Sequence, residues 1–508
     1  MTTLTTGTPA ATVTASGPRA PWAAVFVLAR FEARRLLLRA PVLIAFSVYL
    51  GGTVWRTRTS WDGFPALQDA DRATQNAPLL VGLAVLLCVN QAVLRSRRYD
   101  TDRHLDVLVV PPWRRTVAHL LSVAAVALLT GVCVAGQFTW EALKPGAVGH
   151  GSPGELLTGP LSVLLLGAFG VLLARLLAFS FAAPLLIVLL LFSSLLTTGP
   201  GNEGWTRWLS LTVGENTSTT LPSELLGRPA AWHALYLTGL ALSAALLAVL
   251  VSGGARLRTV RAGVAGAVAL TLVGAVAQAQ DLSPEITEAR TRFSVTPEKE
   301  QRCAERGDTT TYCAFPEWGA RTDDWAEVLD GVRSLAGGTA QDRPLVVRQR
   351  VEARYGLDGD AAIDPSTRPG EVTVGTAWGG NRVPEFAVAV AGVLVAGTEA
   401  EAGDLCDGRM VTVMWLALAD RPDPMSDLRR VRLDDSDAGS AVVLSQTNPL
   451  SMTTAQTEVV RELLRRPKDG TAAKVKAHWA ELTAPRVTTD RVARLLGLDE
   501  PEAKDECG

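Results

Sequence analysis

Seven stretches of about 20 mostly apolar residues fill the first 280 positions, at roughly 36–55, 77–94, 116–138, 158–175, 178–197, 231–252 and 262–280. Each is about long enough to cross the ~30 Å hydrocarbon core of a bilayer. A backbone in lipid must satisfy its own hydrogen bonds, so each stretch predicts a helix. The fourth and fifth form one continuous apolar run over 160–197, which as a single helix would extend about 57 Å, too far for one crossing. Arg175 lies near its middle, where a charge is costly in lipid. A tight turn at Arg175 resolves both problems.

After residue 280 the pattern changes. Residues 281–300 read as a polar linker, and 322–336 place Trp325, Val328, Leu329, Val332 and Leu335 on one helical face. Residues 343–351 and 371–376 are β-branched or alternating and predict strands. The apolar runs 385–397 and 409–419 are too short to span and predict buried helices. Thr454–Arg466, Thr471–Leu482 and Thr489–Leu496 predict three amphipathic helices, with Asp469 and Thr489 as candidate N-caps. The expected fold class is an α-helical polytopic membrane domain of about seven spans followed by a soluble α+β domain. The boundaries are a disordered tail over 1–20, a membrane domain over 21–280 and an α+β domain over 281–508.

Composition sharpens this division. Hydrophobic residues make up 48 % of the 508 positions and charged residues only 20 %, which excludes a disordered or collagen-like chain and a soluble single-domain enzyme. The net charge of −2 hides a split of about +9 before residue 281 and −11 after it. With the N-terminus inside, cytoplasmic segments carry 15 Arg or Lys and external loops six, the bias expected of a multi-pass protein. Seven spans then leave the C-terminal domain outside. Residues 1–20 hold no apolar core segment, so no cleavable signal peptide is expected.

Cys88 and Cys133 fall inside spans, whereas Cys303, Cys313, Cys406 and Cys507 fall in the external domain, where an oxidising environment permits disulfides. Cys303–Cys313, which closes a short loop, is the favoured pair, with Cys406–Cys507 a second candidate and free thiols the alternative. The chain carries no G-x-x-x-x-G-K-[ST] loop for nucleotide phosphates, no H-E-x-x-H and no G-x-S-x-G elbow. Asp, Glu and His are scarce inside the spans, unlike a proton-coupled carrier. No catalytic, metal or cofactor site is expected, and an energy source must lie in another protein.

Two polar segments stand out. Residues 23–39 (AAVFVLARFEARRLLLR) alternate apolar Val27, Phe31 and Leu38 with basic Arg30, Arg34 and Arg35, the pattern of a helix lying along the inner membrane surface. Residues 95–115 (RSRRYDTDRHLDVLVVPPWRR) hold six Arg, an apolar patch at Leu105–Val110 and Pro111–Pro112, a surface that a cytoplasmic partner could grip.

The R-x-E-x-R-R-L-L helix, the first span, a second span ending in an Arg-rich loop and the third span resemble, in that order, the permease subunits of ABC transporters of the type-2 exporter superfamily. The resemblance covers about residues 26–255. It implies a bacterial cell-membrane protein that pairs with a second permease, as homodimer or heterodimer, and binds a separate cytoplasmic ABC ATPase, which uses the ATP. It places the ATPase-coupling surface on Arg30, Glu32, Arg34 and Arg35, and on Arg97, Arg98, Asp102, Arg103, Leu105, Asp106, Leu108, Arg114 and Arg115. The family often has Gly-Thr followed closely by Glu in this loop. Here the sequence is Asp100-Thr101-Asp102-Arg103, so the carboxylate that meets the ATPase is either Asp102 or Asp106. The seventh span and external domain resemble a variant among permeases of high-GC bacteria, in which paired cysteines and a Pro open the outer domain, as in CAFPEW at 313–318. The implied function is export of a hydrophobic or amphiphilic substrate, with membrane lipid and no nucleic acid as surroundings. The alternative is a non-transporting membrane sensor or scaffold acting through its external domain.

Overall fold

The computed structural model describes residues 20–59, 63–98, 111–177, 179, 181–198, 205–212, 220–307, 309–354, 363–432, 441–447 and 450–503. The expected tail over 1–20 lies almost wholly outside them. The first helix, α1 (Ala20–Leu37), meets α2 (Ala40–Thr59) at a bend of 62°. A short α3 (Leu67–Arg72) leads into α4 (Ala77–Arg98), followed by α5 (Pro112–Ala142), α6 (Pro153–Leu176), α7 (Ala182–Thr198), α8 (Ala230–Val251) and α9 (Arg258–Gln278).

Every apolar stretch of the sequence is a helix, but the number able to span is smaller than seven by length and composition. Among the described residues, five helices are long and apolar enough to cross a membrane, and the bent α1–α2 pair is a sixth candidate. The difference lies at α7. Its 17 residues rise about 25 Å at 1.5 Å each, less than the hydrocarbon thickness. The apolar run over 160–197 does break beside Arg175: α6 ends at Leu176 and α7 starts at Ala182. These helices make the chain a membrane-embedded protein.

The helices pack closely where side chains are smallest. A Cβ on Gly274 of α9 would stand 2.5 Å from the backbone nitrogen of Tyr236 in α8, and one on Gly239 of α8 would stand 2.5 Å from that of Thr271 in α9. The two glycines therefore let these backbones touch. Large apolar side chains point outward instead, among them Ile44, Val48 and Val54 of α2, Val188 and Leu195 of α7 and Leu272 and Val276 of α9, as expected of a surface solvated by lipid.

The C-terminal region is an α+β unit. Residues 281–300, expected to be a linker, instead form helix α10 (Pro284–Val295), capped by the Ser283 side chain accepting from Ile286 N–H with Pro284 in the first turn. Those two residues are helix-start signals, and α10 buries Phe293 in the domain core. A four-stranded sheet follows in the order β1 (Arg302–Arg306), β2 (Thr310–Ala314), β3 (Leu345–Gln349), β4 (Glu371–Val374). β1 and β2 form an antiparallel hairpin, and β2, β3 and β4 run parallel. The crossover from β2 to β3 carries α11 (Thr322–Leu335), whose Trp325, Leu329, Val332 and Leu335 are buried as their spacing predicts.

The two apolar runs are the buried helices α12 (Arg382–Ala396) and α13 (Arg409–Leu418). Toward the end lie α14 (Thr454–Arg465), α15 (Lys468–Ala477) and α16 (Thr489–Leu496). Two N-caps differ from expectation. Asp469 sits in the first turn of α15 behind Pro467, and the α16 cap is Thr488, whose side chain accepts from Arg491 N–H. Cys303 and Cys313 face each other across the hairpin and are joined by a disulfide. Cys406 is also disulfide-bonded, and its expected partner Cys507 lies outside the described residues.

Bundle and domain share one junction. Val148, Leu221, Leu225 and Leu226, from bundle connections, are part of the domain's core. Arg290 Nε donates to Leu225 O at 2.9 Å. Arg321, 1 % exposed, donates to Thr376 O at 3.0 Å and to Phe64 O at 2.6 Å, so one guanidinium ties the domain to the segment before α3. Arg321→Ala would take the guanidinium donor from Phe64 O, while Thr376 O keeps Trp318 Nε1 at 2.8 Å, costing roughly 1–3 kcal/mol. Arg494→Ala, which removes an exposed pair with Glu500, is expected to stay within about 0.5 kcal/mol. Thermal unfolding of the full chain in detergent separates the two, and equal melting temperatures would refute the junction's role.

Candidate functional site at the arginine-rich end of the bundle

The segments carrying the expected coupling residues converge on one end of the bundle. Helix α1 is held against α5 by a small apolar contact of Val25, Ala29 and Ala118, with Leu28, Val117 and Leu121 beside it. That contact turns Glu32 inward, where it is 4 % exposed. Arg95, in the last turns of α4, donates from Nη2 to Glu32 Oε1 at 3.0 Å. The pair therefore ties α1 to the last turns of α4.

A second tie sits at the α1–α2 bend, where Arg39 Nη1 donates to Cys88 O at 3.0 Å. A third lies at the start of α5. The Arg114 guanidinium stacks 5.1 Å from the Trp113 ring centre and 5.8 Å from that of Trp22, and the two indoles meet edge to face at 6.1 Å. Thr116 Oγ1 donates to Ser252 Oγ at 2.8 Å, joining α5 to the end of α8.

His119, one turn after Arg115, lies within electrostatic reach of Glu32, Arg175, Arg95 and Arg115. Arg175 thus belongs to this end, as a turn there requires. The depression lined by Glu32, Arg35, Leu36, Arg39, Val89, Ala92, His119 and Ser122 has a volume of about 10 Å³, room for one water at most. The arrangement is a clamped polar end, not a ligand pocket.

The expected residues fall into three groups. Arg30, Arg34 and Arg35 are exposed on α1. Glu32 faces inward and holds two elements together, and Arg114 and Arg115 lie in the first turn of α5. Arg97 and Arg98 end α4, with their side chains outside the described residues, as are Asp102, Arg103, Leu105, Asp106 and Leu108. Sequence reasoning missed Arg39, Arg95 and His119 as members of this cluster. A histidine four residues after Arg115 in an otherwise apolar segment was the available signal for His119. Among the described residues no group of three His, Cys, Asp or Glu is placed to hold a metal ion.

The burial asymmetry of the Glu32–Arg95 pair gives a test. Glu32 is 5 % and Arg95 34 % exposed, so removing Arg95 strands a buried carboxylate, whereas removing Glu32 leaves an arginine able to reach solvent. Arg95→Ala should cost about 2 kcal/mol and Glu32→Gln less, with the double variant recovering part of the loss. Additive effects in detergent unfolding of the full chain would contradict the pairing. Set against known proteins, the chain matches no family model, no curated protein and no solved structure.

Proposed function

We propose that the chain is the membrane-spanning permease subunit of an ABC transporter, exporting a hydrophobic or amphiphilic substrate with energy from a separate cytoplasmic ATPase. The observation that carries this reading is the Glu32–Arg95 tie. It joins α1 to the last turns of α4, and α1 packs against α5 through Val25, Ala29 and Ala118, so a displacement applied to the chain between α4 and α5 would pass into three helices together. A helix bent 62° from the one that follows, with exposed arginines beside exposed Phe31 and Val27, suits a position along a membrane surface. The chain carries no phosphate-binding loop, so the driving force reaches it through a protein contact.

On this reading the arginine-rich end is cytoplasmic and the C-terminal domain external. Positive charge concentrated at one end favours that orientation, and the Cys303–Cys313 disulfide favours an oxidising compartment. Seven crossings follow if α7 crosses with local thinning of the bilayer. The chain enters α7 beside Arg175 at the arginine-rich end and leaves it toward Trp208, whose carbonyl accepts from Gln278 at the far end of α9.

Two measurements test the proposal. A reporter active only outside the cell should work when fused after Gly508 and stay silent after Arg258; the reverse result removes the orientation. Leu105→Asp with Leu108→Asp should abolish co-purification of the ATPase encoded beside this chain while leaving membrane insertion intact. The apolar patch would contribute binding at about 25 cal/mol per Å² buried, with the arginines steering. Wild-type yield of the ATPase would show that the loop only anchors orientation.

A further inference from the structure

A cleft of about 290 Å³ lies where the bundle meets the C-terminal domain. One wall is the end of α2, with Arg56 and Thr57, and the segment from Phe64 to Ala73; the opposite wall is Arg321 and Thr376–Trp378 of the domain. Thr376–Trp378 directly follow β4, so the cleft sits at the carboxyl end of a parallel strand, where α/β sheets commonly bind ligands. Exposed Trp55 and Trp140 lie on the neighbouring ends of α2 and α5, the positions of indoles at a membrane interface.

The lining has two characters. Phe64, Ala70, Ala377 and Trp378 give an apolar floor, and Trp378 is held rigid by edge contacts to Trp325 and Phe386 at 6.4 and 5.5 Å. The charges are unequally compensated. Asp69 is bonded to Arg72 and accepts from Thr220 Oγ1 at 2.6 Å, and Glu141 is paired with Lys144. Arg56 is exposed and makes no ion pair among the described residues. Among the described residues, the charge left for a ligand is therefore positive. The volume lies at the lower edge of small-molecule sites, ~300–1,000 Å³, which suits one hydrocarbon chain better than the two of a phospholipid.

We infer that this cleft binds a single-chain anionic amphiphile, its acid group on Arg56 and its chain against Phe64 and Trp378. The inference rests on the permease reading only for the side of the membrane that supplies the ligand; binding itself does not involve the ATPase. The probe is dodecyl phosphate, titrated onto the full chain in phosphatidylcholine nanodiscs without any ATPase and corrected for empty nanodiscs, with dodecyltrimethylammonium as the cationic counterpart. Dodecyl phosphate should bind saturably and at least tenfold more tightly than the cationic amphiphile. Arg56→Gln should weaken it about tenfold, and Ala70→Phe, which fills the cleft, should abolish it. Both variants should melt with the wild type; if Ala70→Phe does not, Ala377→Leu narrows the cleft from the opposite wall and should weaken binding in its place. Equal affinity for the two amphiphiles, or an unchanged affinity in Arg56→Gln, overturns the assignment. Loss of ATPase co-purification in the loop variant with amphiphile binding intact would leave the cleft standing and locate the fault in the coupling reading, or the reverse.

Discussion

Arg321 donates to a carbonyl of its own domain and to a carbonyl of the membrane bundle, with almost no solvent around it. A buried guanidinium is costly unless its donors are met. The two carbonyls sit within hydrogen-bond distance only while the segment around Phe64 and the residues after β4 keep their mutual position. The junction is extended by Leu221, Leu225 and Leu226, which leave the bundle's connections to complete the domain's core. Glu317 accepts from Ser223 N–H at 3.2 Å and Trp318 Nε1 donates to Thr376 O at 2.8 Å. The domain is therefore seated on the bundle, and the cleft beside Arg56 is a consequence of that seating.

The opposite end of the bundle solves a different electrostatic problem. Many arginines gather there around one inward-facing carboxylate, and each that is drawn inward is met by a specific group. Arg95 finds Glu32, Arg39 finds the Cys88 carbonyl of α4, and Arg114 lies against two indoles. These contacts convert a charge bias, which alone only orients the chain in a membrane, into a clamp between α1, α4 and α5. On α1, Arg30, Arg34 and Arg35 remain exposed and are available to another surface.

The two ends differ in what they can do. Among the described residues, the depression at the arginine-rich end holds about 10 Å³, too little for a ligand. The domain end encloses a cleft with an apolar floor, lined by Arg56, which has no ion pair among the described residues. Between the two ends the backbones of α8 and α9 meet closely at Gly239 and Gly274.

Much of the fold was legible from periodicity alone. The apolar helices, the break beside Arg175, the buried face of α11 and the runs that became α12 and α13 all follow from local patterns whose partner, lipid or core, is set by hydrophobicity. The ends of the elements were less legible. Thr488 and Thr489 are both good caps, and the choice between them is made by how α16 packs; β1 is exposed along its whole length, so it shows no buried alternation to read. The sequence determined that this chain enters a membrane and that its positive charge gathers at one set of loops, because both depend on composition summed over short segments. Which arginine meets Glu32, which carbonyls receive Arg321 and that Arg56 lines the cleft were decided only by tertiary structure. Such pairings join positions from tens to hundreds of residues apart, and no local pattern records them.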